Sequence, residues 1–70
     1  MSSWHATKAK QVLAALERIG WQEKRRSGSH RTLSRPGWGE VVFAFHDGEE
    51  IRPRMLARLA KVTGLRPEDL

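Results

Sequence analysis

The sequence predicts an α+β fold, two helices on one face of a three-stranded antiparallel sheet in the order α-β-β-β-α, and three observations carry that prediction. Apolar residues recur at helical spacing near both ends of the chain. Between them the helical period is lost over three short segments divided by "SGS" and "PGWG". In the third of these, Val41, Phe43 and Phe45 alternate with Val42 and Ala44, the period of a strand with one strongly apolar face.

Taken in order, residues 8 to 19, "KAKQVLAALERI", place Ala9, Val12, Leu13, Leu16 and Ile19 on one helical stripe. Thr7 is the expected N-cap and Gly20 the expected left-handed stop. Lys8, Lys10, Gln11, Glu17 and Arg18 form the solvent side. "WQEKRR", "HRTLSR" and "EVVFAF" follow as strands. The second strand has Arg31, Leu33 and Arg35 on one face and His30, Thr32 and Ser34 on the other, so one sheet face stays in water or meets a ligand. "RPGWG" is the second hairpin connection, with Trp38 as a lid over it and Gly37 and Gly39 free to adopt positive φ. "HDGEEI" is read as a loop whose Glu49 and Glu50 complement the dipole of the next helix. That helix begins at Pro53, repeats Met55, Leu56, Leu59, Ala60 and Val62, and stops at Gly64, with Leu65 folding back. "RPEDL" adds one further turn.

Size and charge narrow the function. At 70 residues the chain predicts one domain over residues 1–70, and a domain of that size buries only about 60% of the surface its unfolded chain exposes. Its lack of cysteine excludes disulfides and thiolate metal sites. No apolar run reaches the roughly 20 residues of a membrane span, and no signal-peptide pattern opens the chain, so a soluble cytoplasmic protein is expected. Thirteen Lys and Arg against eight Asp and Glu give a net charge of +5, with a pI near 10.8. A polyanion, nucleic acid first, is the expected partner.

The chemistry-bearing residues concentrate in "KRRSGSHRTL", residues 24 to 33. Lys24, Arg25, Arg26, Arg31 and Arg35 fall on two adjacent strands around His30, a patch suited to phosphate contacts, although strand alternation sends some of them to each face. Ser29 sits in the turn and Gly28 supplies its geometry. Histidine titrates near physiological pH and serves as base or acid, so in a ribonucleolytic mechanism His30 would draw the proton from a ribose 2′-OH or protonate the leaving 5′-oxygen; the ordinary reading of a lone histidine in a basic loop is a surface or phosphate-contacting residue. RNA supplies its own nucleophile, and neither a metal nor another cofactor is required; DNA lacks the 2′-OH. The three histidines, His5, His30 and His46, share no ligand spacing, and no metal site is expected. A serine triad and a phosphate-binding loop also lack their patterns.

"LERIGW", "GSH" (28 to 30), "FAFHDGEEI" and "IRPRMLARLAKVTGL", in that order from about residue 9 to residue 70, resemble the HicA-type mRNA interferase toxins of bacterial toxin–antitoxin systems, also called the YcfA-like family. The resemblance implies a double-stranded-RNA-binding-domain-like fold and metal-independent mRNA cleavage through His30. It also implies neutralisation by a HicB-type antitoxin. His46 matches a position where such toxins often carry a histidine and is a secondary candidate. They often carry a second histidine directly after the first, or the histidine only at that second position, where this chain has Arg31; the departure implies either a weakened toxin or Arg31 as a phosphate clamp beside His30. A noncatalytic RNA-binding module of the same fold is the alternative. A small DNA-binding regulator fits less well, since no two helices adjoin as a helix-turn-helix requires.

Overall fold

A computed structural model describes residues 3–70. The helix α1 (Ala9–Arg18) and the helix α2 (Pro53–Thr63) are separated by a three-stranded antiparallel sheet of β2 (Gln22–Ser27), β3 (His30–Arg35) and β4 (Gly39–Phe43). The expected α-β-β-β-α order is therefore present. Two elements were not foreseen: Thr7–Lys8 (β1) and Glu50–Ile51 (β5) pair antiparallel as a second, two-stranded sheet. The segment expected to be loop thus ends in a strand. A two-residue strand carries no readable alternation, so only its tertiary partner defines it.

The apolar stripes meet in one core. Ala9, Val12, Ala15 and Leu16 of α1 and Leu56 and Leu59 of α2 are buried with Leu33 and Phe43 from the sheet, together with Trp21, Ile51 and Leu65. Leu13, Ile19, Val41 and Phe45 pack at its margin. Met55 and Val62, expected in the α2 stripe, are instead exposed, because the stripe turns through Leu56, Leu59 and Thr63. Burying Leu33 or Leu56 contributes about 1.5–3 kcal/mol each before the ordering entropy is counted.

Both helices end as their glycines predict. Gly20 has φ 111; its N–H donates to the Glu17 carbonyl and the Trp21 N–H to the Leu16 carbonyl. These are the two bonds of a Schellman motif, and Trp21 packs in the same core as Leu16, the hydrophobic contact that accompanies it. Gly64, at φ 77, ends α2. Trp38 lies over Arg35 at the foot of its hairpin and also reaches the end of α2, where a side chain on Gly64 would meet its ring at 2.8 Å. Pro67–Asp69 forms the expected last turn.

The start of α1 is capped differently from the expectation. Lys8, not Thr7, is the N-cap residue and offers no side-chain bond. Thr7 pairs with Ile51, and its hydroxyl donates to the His5 carbonyl at 2.7 Å. The free amides of the first turn go to the 46–51 segment: Ala9 N–H donates to the Glu49 carbonyl (2.7 Å) and Lys10 N–H to the Asp47 carbonyl (3.2 Å). Glu49 lies ahead of α2, as expected, and has a local partner as well. Its carboxylate accepts the His46 N–H, closing the turn, and α2 has no acid in its first turn.

Thr63 joins three elements. Its hydroxyl donates to the Leu59 carbonyl and accepts the Leu65 N–H, which satisfies a fully buried polar group. Its carbonyl accepts the Trp21 indole N–H at 2.9 Å and the Arg35 guanidinium at 3.3 Å. The exits of both helices and the end of β3 are fixed at this point.

Candidate functional site

The β2–β3 hairpin closes through a two-residue turn. Ser27 pairs with His30, leaving Gly28 and Ser29 as the central residues. Gly28 has φ 60 at the first central position, as a type II′ turn requires. Nothing lies within 4 Å of where its Cβ would be, so conformation and not space demands glycine there. His30 therefore opens β3 at one end of the sheet.

Register sorts the side chains. Arg31 pairs with Arg26 and Phe43, and Leu33 with Glu23 and Val41, so these residues share the core-facing side. His30 pairs with Ser27, Thr32 with Arg25 and Val42, and Ser34 with Gln22 and Glu40, so they share the open side. The register shifts between Glu23 and Arg25, making Lys24 an extra, bulged residue. Lys24 also serves the open side, since its ammonium meets Glu40 at 2.6 Å, and Arg25 reaches the same carboxylate at 3.7 Å. The open side thus joins His30 with Lys24, Arg25, Thr32 and Ser34, and includes Val42 at 57% exposure. The Lys24 ammonium, by its hydrogen bond and its charge, holds the Glu40 carboxyl below its ordinary pKa, with a smaller pull from Arg25.

Arg26, Arg31 and Arg35 lie on the other side, away from His30. Arg26 meets Glu23 at 3.4 Å. Arg31 lies 3.7 Å from Glu23 and donates to Asp47 at 3.2 Å. Its side chain is only 14% exposed, and its Nε–H is buried with no hydrogen-bond partner. Arg35 donates to the Thr63 carbonyl and lies 4.9 Å from the Trp38 ring centroid, a cation–π contact. The Arg31 and Arg35 guanidiniums tie elements of the protein together, whereas the Arg26–Glu23 contact stays within β2.

His46 follows β4, whose last residue, Phe43, pairs with Arg31 of β3. Phe45 turns back onto Phe43 edge-on at 5.1 Å. His46, Ser29 and Arg31 line one open depression with Gly28, Phe45 and Asp47, and His30 is not among its walls. The hairpin tip therefore presents one histidine on each side. Asp47, Glu23 and Glu40 were not singled out by sequence reasoning, since acids scattered from position 23 to position 47 give no signal until register joins them to cations. Among the described residues no three His, Asp or Glu side chains converge as metal ligands, and no helix is long and apolar enough to cross a membrane.

Two helices flanking an antiparallel sheet in α-β-β-β-α order, with the other sheet face open and basic, define a double-stranded-RNA-binding-domain-like protein. The chain belongs to the HicA toxin family of bacterial toxin–antitoxin systems, whose model matches residues 9–65, from the start of α1 to the residue after Gly64. No curated protein matches the chain at a level that identifies a relative.

Proposed function

We propose that the protein is a cytoplasmic mRNA interferase: a metal-independent endoribonuclease whose cleavage of mRNA arrests translation and growth until a HicB-type antitoxin covers it. The observation that carries this reading is His30 on the open sheet side with Lys24 and Arg25, within a chain of the HicA toxin family. His30 is the acid/base. It accepts the ribose 2′-OH proton as the 2′-oxygen forms its bond to phosphorus; the P–O5′ bond breaks, and the 5′-oxygen takes a proton from solvent. The products are a 2′,3′-cyclic phosphate and a 5′-hydroxyl. Lys24 and Arg25 stabilise the charge that gathers on the phosphoryl oxygens, exchanging Glu40 for RNA. Thr32 and Ser34 extend the same surface. Arg26, Arg31 and Arg35 face away from His30, and Arg31, mostly buried, and Arg35, bound to the Thr63 carbonyl, hold other elements in place, so we assign the grip to the exposed open-side pair. The antitoxin is expected to occupy this open side, where Val42 offers an apolar contact among polar neighbours.

Incubating purified protein with single-stranded mRNA in EDTA tests the proposal. Cleavage to cyclic-phosphate ends, lost in His30→Ala with the fold retained, is expected. Equal cleavage by His30→Ala would remove His30 from the chemistry. RNA binding without any cleavage by the wild type would leave a noncatalytic RNA-binding module. Growth arrest on induction, relieved by coexpressing a HicB-type protein, tests the partner.

A further inference from the structure

The positive charge of this protein is distributed unevenly once its ion pairs are assigned. Around the hairpin, Lys24, Arg25, Arg26 and Arg31 each lie within 4 Å of a carboxylate of Glu23, Glu40 or Asp47. Residues 52 to 63 contain Arg52, Arg54, Arg58 and Lys61 and no acid at all. All four are exposed, and among the described residues none has a carboxylate within 4 Å.

Arg54, Arg58 and Lys61 follow one another at i, i+4 and i+7, a single stripe along α2 over roughly 10 Å of helix. The buried residues Leu56, Leu59 and Thr63 occupy the opposite side of that helix, so the stripe points directly away from the core and from the sheet. Folding does not explain it. Arg54 stands in the first turn, where the helix dipole disfavours a cation, and the first turn holds no acid to offset it. Three like charges along one exposed stripe also repel one another. A linear array of uncompensated cations is complementary to a chain of phosphates, and guanidiniums match phosphate oxygens with two parallel bonds.

We propose that the outer face of α2, through Arg54, Arg58 and Lys61, is a second RNA-binding surface that holds the phosphate backbone on the side of the molecule opposite His30. It binds without reading sequence and anchors a long RNA whose scissile bond lies elsewhere. That the natural ligand is RNA rests on the function proposed above; the surface itself is tested without cleavage.

The probe is a fluorescein-labelled 20-nucleotide 2′-O-methyl RNA, which has no free 2′-OH to attack, and affinity is followed by anisotropy across a salt series. Arg54→Gln/Arg58→Gln is expected to reduce the slope of log K against log salt by about 1.4, close to 0.7 per lost phosphate contact, and Lys61→Gln by about 0.7 more. The charge-matched control Lys8→Gln/Lys10→Gln removes two other exposed cations and is expected to change the slope by less than half as much. Glutamine keeps helix propensity, so thermal melting should not fall. An unchanged slope in the α2 variant, or an equal loss in the control, would overturn the proposal. So would intact RNA affinity combined with loss of neutralisation by a coexpressed antitoxin, which would make the stripe a protein interface. Failure of the wild type to cut RNA would sink the nuclease reading and leave this measurement intact.

Discussion

Arg25 and Arg31 lie on adjacent strands of the same hairpin, yet the sheet puts them to different uses. Arg25 is on the open side beside a carboxylate that it shares with Lys24, and its side chain is 65% exposed. Arg31 is 14% exposed and bridges β2 to the segment that caps α1, since Asp47 takes both its guanidinium and the Lys10 N–H. An exposed ion pair contributes little to stability and exchanges readily for a phosphate. A mostly buried guanidinium with two carboxylates in reach resists exchange, because leaving either partner costs desolvation that water does not fully return. Equal charge in sequence therefore becomes an exposed, exchangeable cation on one side and a strut on the other.

The largest expected effect tests the open side. His30→Ala should lower the cleavage rate by about 10²- to 10⁴-fold, the range for removing one general acid or base, with an unchanged circular dichroism spectrum; His46→Ala should retain most of the rate, and a reversal between the two would move the chemistry to the Arg31 depression. Next comes the strut: Arg31→Ala should destabilise the fold by about 1–2 kcal/mol in urea unfolding, whereas Lys24→Ala should stay within about 0.5 kcal/mol. Equal stability losses would erase the distinction drawn between the two sides. Gly64→Ala, forced to positive φ against the Trp38 ring, should cost about 1–2 kcal/mol and leave RNA affinity unchanged.

The smallest effect concerns Glu40, which holds Lys24 and Arg25 and which the proposed function sets in competition with RNA. Glu40→Gln should tighten RNA binding several-fold and steepen its salt dependence; weaker binding would show that Glu40 organises the site instead of blocking it. The sign with pH follows from the lowered pKa. The Lys24–Glu40 pair is fully formed above the ordinary carboxylate range and is lost only as pH falls through the lowered value, so this contribution stays flat near neutrality.

Much of the fold was legible because its signals are local. Helical periodicity placed both helices, and Gly20, Gly37, Gly39 and Gly64 marked the positive-φ turns they occupy. Alternation along β3 alone already separated His30 from Arg31 and Arg35. The site was legible only as a composition of residues. Which carboxylate belongs to which cation depended on the bulge at Lys24, and the cap of α1 depended on a segment some 40 residues away.

By itself the sequence determined which stretches become helix or strand, where they turn, and that His30 opens the second sheet strand, because each rests on residues within a few positions of one another. Tertiary structure alone decided that Thr7 pairs with Ile51 instead of capping a helix, that Trp38 covers Gly64, and that the hairpin cations are compensated while those of α2 are not. The reason is distance along the chain. A hydrogen bond or ion pair between remote residues leaves no period in the sequence, and it exists only once the core has brought its two ends together.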